Sequence, residues 1–62
     1  MMGQADVIKI LEQFSTEWLS NKEIAKRLNA SQGSITANTL ALRKSPFIDY
    51  KKIGKEYLYK VK

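Results

Sequence analysis

The chain has 62 residues, no cysteine, no histidine and a formal charge of +5. Those absences remove disulfide staples, thiolate metal sites and imidazole-based catalysis, while a core this small supplies only about 3–5 kcal/mol. No apolar run approaches the ~18–20 residues of a membrane span, and no basic-then-apolar leader opens the chain. One soluble, cytoplasmic domain spanning 1–62 is expected, with no cofactor, no metal and no evident small-molecule site.

The positive charge is segregated along the sequence. Residues 1–30 set Lys9, Lys22, Lys26 and Arg27 against Asp6, Glu12, Glu17 and Glu23, and balance. Residues 31–62 carry Arg43, Lys44, Lys51, Lys52, Lys55, Lys60 and Lys62 against Asp49 and Glu56 alone, so the whole excess lies there. Scattered lysines keep a small domain soluble. Gathered in one half, they point instead to a polyanion-binding face.

In chain order, Val7, Ile10, Leu11 and Phe14 fall at i, i+3, i+4 and i+7 and predict an amphipathic helix from about Ala5 to Phe14, with Asp6 near its positive end. Trp18-Leu19 is short enough to be only a brief edge strand, and Trp18 is expected as a lid over the helices. Ser20 and Glu23 have the spacing of a capping box, and Leu19 and Ile24 that of a hydrophobic staple, so a second helix starts at Asn21 and runs to about Leu28. Asn29 suits the left-handed residue at its end, and Ser31 can cap a third helix. That helix is expected from Gln32 to about Lys44, since Pro46 disfavours helical geometry at Ser45.

A helix, a three-residue turn and a helix in this pattern form a helix-turn-helix, whose second helix can enter the DNA major groove. At ~100° per residue, Ile35 and Leu42 centre the buried face of the third helix, with Asn38 and Thr39 beside them. Gly33, Thr36, Ala37, Leu40 and Lys44 fall on the far side. From Phe47 the residues become aromatic and branched, and Phe47–Ile53 and Glu56–Val61 around Gly54-Lys55 predict a β-hairpin with an open register. Tyr50, Tyr57 and Tyr59 are expected to pack one face of it onto the helices, although a stacking surface for single strands has the same composition.

The order helix, short strand, helix, turn, helix, hairpin resembles the winged helix-turn-helix DNA-binding superfamily, in particular small bacterial and archaeal transcriptional regulators. Its most specific part is Glu23-Ile24-Ala25-Lys26-Arg27-Leu28-Asn29-Ala30-Ser31 followed by Ile35. The resemblance implies an α+β winged helix-turn-helix fold, three helices with a short strand and a C-terminal β-hairpin wing, that binds double-stranded DNA and regulates transcription.

It also implies roles. Gln32, Gly33, Thr36 and Ala37 would face base edges, with Leu40 exposed beside them. Lys22 and Ser31 would lie near phosphates at the helix entrances, and Lys44 near one at the far end. Lys51, Lys52 and Lys55 would set the wing against the neighbouring backbone or minor groove, on the same side as the third helix. Two departures from the family stand out. Asn38 replaces an apolar core residue, and the outer face has no Arg, leaving Gln32 as the main bidentate base reader and favouring modest or A·T-rich discrimination.

No enzyme is expected, because Glu23 is explained by its cap and the other carboxylates have no complementary partner. The alternative is a winged helix serving as a protein-protein interaction module in a larger assembly, since fold does not fix function. A homodimer or another protein partner stays open.

Overall fold

The computed structural model describes residues 3–62. The chain runs α1 (Gln4–Gln13), β1 (Leu19–Ser20), α2 (Asn21–Leu28), α3 (Gln32–Leu42), β2 (Ile48–Ile53) and β3 (Glu56–Val61). Among the described residues, three helices and a three-stranded antiparallel sheet with a C-terminal hairpin make an α+β fold with the winged-helix layout.

Local chemistry sets each helix start. Gly3 N–H donates to the Asp6 carboxylate at 3.1 Å, which satisfies one of the orphan donors of α1. At α2 the Glu23 amide donates to Ser20 Oγ at 3.2 Å, the side-chain-to-amide half of the expected capping box. The staple pair, Leu19 and Ile24, is wholly buried. Asn29 closes α2 in the left-handed region at φ 53° and ψ 46°, and this tight exit lets Ser31, two residues later, cap α3.

The third helix is shorter than the sequence predicts. Beyond Leu42 the backbone tightens, with Lys44 N–H donating to the Ala41 carbonyl and Ser45 N–H to the Leu42 carbonyl. Those i→i−3 bonds end α3 two residues before Lys44, ahead of the constraint that Pro46 imposes.

The sheet has the order β1-β3-β2, so β3 is central. Tyr59 pairs with Leu19 on one side and Tyr50 on the other. The hairpin turns on Gly54 and Lys55 alone; Gly54 takes φ 63° at the first central position, as a type II′ connection requires. Val7, Leu11, Leu19, Ile24, Ile35, Leu42, Ile48 and Tyr59 form the core between the helices and the inner face of the sheet. Phe14 closes one end, with the Arg27 guanidinium carbon 4.4 Å from its ring centroid.

The Asn29 turn gives a test of the helix-turn-helix. Replacing Asn29 with Ala forces a Cβ-bearing residue into a left-handed conformation and should cost about 1 kcal/mol, whereas Asn29→Gly should cost nothing measurable. Urea denaturation of the two variants separates these outcomes.

Candidate nucleic-acid interface

The orientation of α3 depends on one buried hydroxyl. Thr39, wholly buried, donates to Asn21 Oδ1 at 2.7 Å and ties the middle of α3 to the first turn of α2. Thr39 therefore sits at the centre of the buried face, beside Ile35 and Leu42, where the sequence placed it at the flank. Asn38 is half-buried and its amide donates to the Ser34 carbonyl at 3.0 Å, so the polar residue at a usual core position is satisfied at the margin.

With that face inward, Gln32, Gly33, Thr36, Ala37 and Leu40 are exposed, Leu40 at 55%. The Thr36 hydroxyl donates to the Gln32 carbonyl at 2.8 Å and keeps acceptor capacity for a ligand. Ser31 is occupied by capping: its hydroxyl accepts from the Ser34 amide and donates to Ser34 Oγ at 2.9 Å. Lys44 is exposed in the turn after α3.

Between the start of α2, the exposed side of α3 and the hairpin turn lies a cleft of about 280 Å³. Lys22, Gln32, Thr36 and Lys55, four of the residues singled out from the sequence, line it together. Arg43 and Tyr57 complete its wall, and Glu56 is the one carboxylate on its rim.

The hairpin lysines do not share a side, which corrects the sequence expectation. Side chains alternate along a strand, so neighbours point to opposite faces. Lys52 pairs with Tyr57 and its ammonium lies 5.5 Å from that ring, on the face that meets the helices. Lys51 pairs with Leu58 on the other face, 4.4 Å from the Trp18 ring centroid. Lys60 approaches the same indole at 5.7 Å. Trp18 is thus no lid over the helices; it lies on the outer face of the sheet beneath two ammonium groups. The tyrosines keep the expected side. Tyr59 is wholly buried, Tyr57 packs against the core, and Tyr50 remains 47% exposed.

Sequence reasoning missed Arg43 as part of the site. It follows Thr39 by four residues and Thr36 by seven, a helical spacing that places it between the buried and exposed faces. Its Nε–H donates to the Tyr59 hydroxyl at 3.0 Å, and its guanidinium carbon lies 3.6 Å from the Tyr57 ring centroid.

No family model matches the chain, and no curated protein matches it. Among the described residues, no group of His, Cys, Asp and Glu side chains is arranged to hold a metal, and no helix is long and apolar enough to cross a membrane.

The opposed lysines are distinguishable by the sole tryptophan. Lys51→Met removes an ammonium group from the Trp18 ring and should shift its emission, while Lys52→Met should leave the spectrum unchanged. Steady-state fluorescence of both variants checks the assignment of faces.

Proposed function

We propose that the protein binds double-stranded DNA as a small regulator of the winged helix-turn-helix superfamily, acting by occupancy rather than chemistry. The observation that carries this reading is the cleft that joins Lys22, Gln32, Thr36 and Lys55 beside the solvent-facing side of α3. An 11-residue helix is about 16 Å long, and its outer face offers small residues that permit close backbone approach to a major groove about 12 Å wide. Gln32 has the amide for bidentate contact with adenine, and the side chains of Thr36 and Ala37 suit thymine methyl groups. Lys22, Lys44, Lys52 and Lys55 serve as phosphate contacts, which position the helix without specifying sequence. Lys51, held against Trp18 on the outer face, is not among them.

A second reading, the protein-interaction module, draws on Phe47. This ring is 75% exposed beside an apolar groove lined by Ile8, Ile48 and Val61 at the end of the hairpin away from the cleft. Phe47→Ser would then abolish capture of a partner protein while sparing duplex affinity.

Duplex titrations at several salt concentrations test the first reading. With four or five phosphate-contacting cations, log affinity should fall with log salt at a slope near −4. Lys52→Ala and Lys55→Ala should each flatten that slope by about 0.9, whereas Lys51→Ala should not change it. A flat salt response, or no binding below ~100 μM at low salt, removes the reading.

A further inference from the structure

The phosphate contacts just named leave the most constrained cation of the cleft without a task. Arg43 is gripped twice by the sheet. Its Nε–H donates to Tyr59 Oη at 3.0 Å, and its guanidinium carbon lies 3.6 Å from the Tyr57 ring centroid and 6.0 Å from that of Tyr50. Tyr59 is wholly buried at the centre of the sheet, so the hydroxyl that holds Arg43 is a fixed anchor.

A guanidinium carries five N–H donors in one plane. One is committed to Tyr59, which leaves both terminal amino groups available in a set orientation. Two parallel N–H donors on a planar fork match two oxygens of one phosphate, and a fork already oriented loses less freedom on binding. No carboxylate claims them: among the described residues the one ion pair, Lys62 with Asp49 at 3.9 Å, lies at the opposite end of the hairpin. Lys22 and Lys55 reach the same cleft from α2 and from the hairpin turn, and Glu56 alone opposes them.

We propose that Arg43 is a backbone-phosphate clamp, whose terminal amino groups hold one phosphodiester of the bound duplex in the cleft. Tyr59 is its positioning residue. The clamp rests on the duplex-binding reading and deepens it, because it fixes the register of the backbone at the corner between α3 and the hairpin. Phosphate contacts of this kind carry no sequence information, but they set where the base-reading face of α3 falls.

The experiment measures duplex affinity across a salt series for wild type, Arg43→Gln, Arg43→Lys and Tyr59→Phe, with thermal unfolding of each. Arg43→Gln should lower affinity about tenfold and flatten the salt slope by about 0.9. Arg43→Lys and Tyr59→Phe retain the charge and should keep the slope, yet lose affinity about three- to tenfold, the first for want of a fork and the second because the fork is no longer aimed. In wild-type protein the Arg43 Nε–H NMR resonance should move on addition of duplex and stay in place with inorganic phosphate at matched ionic strength.

If wild type binds duplex with a steep salt slope and Arg43→Gln equals it in both affinity and slope, the clamp is overturned while duplex binding stands. Absence of duplex binding by wild type overturns both. Should Arg43→Gln fail to fold, unchanged affinity in both Arg43→Lys and Tyr59→Phe overturns the clamp on its own. A saturable shift of the Nε–H resonance with inorganic phosphate alone assigns the fork to a free phosphate and overturns the backbone assignment.

Discussion

The phenol of Tyr59 is the point on which the arrangement of helices and hairpin depends. Its ring is the largest wholly buried side chain, lying in the middle strand between Leu19 and Tyr50. A buried tyrosine must find a partner for its hydroxyl, because an unpaired polar group in a core costs about 1–3 kcal/mol. Arg43 is that partner, reaching from just beyond α3. One hydrogen bond thereby satisfies the core and joins the sheet to the end of the third helix, at the wall of the cleft. On the other side of α3, the Thr39–Asn21 bond performs the corresponding task against α2. The exposed face of α3 is thus defined by two buried polar contacts as well as by apolar packing.

Charge segregation along the sequence does not become a single charged side in space. The C-terminal half holds the whole excess, yet Lys44 stands exposed in the turn after α3 and the other six cations divide among three places. Lys51 and Lys60 lie over Trp18 on the outer face of the sheet. Lys62 approaches Asp49 at the open end of the hairpin, an exposed pair of little energetic weight. Arg43, Lys52 and Lys55 remain with the helix side, where Lys22 joins them from the electrically balanced half. The basic character of the cleft comes from folding a balanced segment against a basic one.

What was legible in the sequence was local. Ser20, Asn29 and Ser31 mark helix ends through bonds and dihedrals that span a few residues, and all three act as their identities require. The hairpin runs were legible for the same reason, since Gly54 and a change of periodicity suffice to bound them. What could not be read depended on register. Whether Trp18 faces the helices or the outer side is decided by pairing of Leu19 with Tyr59, forty residues away along the chain, and a slip of one residue would reverse it. Lys51 and Lys52 were assigned to one side for the same reason, because composition carries no parity. Arg43 escaped notice because its meaning lies in a phenol sixteen residues downstream. The end of α3 falls two residues short of the expected one because the tightened last turn, rather than Pro46, stops the helix.

The strand order has one more consequence. With β3 in the centre, β2 forms a rim of the sheet whose outward amides and carbonyls have no neighbouring strand. Such a rim is a template for another chain, and adjacent ammonium groups on both of its faces repel a second copy that would dock there. Lys51 and Lys52 thus give this edge the kind of charge that opposes strand-to-strand pairing, whatever else either one touches. Any substitution that strips both charges leaves the β2 edge unguarded, and a loss of binding in such a variant would carry the signature of precipitation as well as of a missing contact.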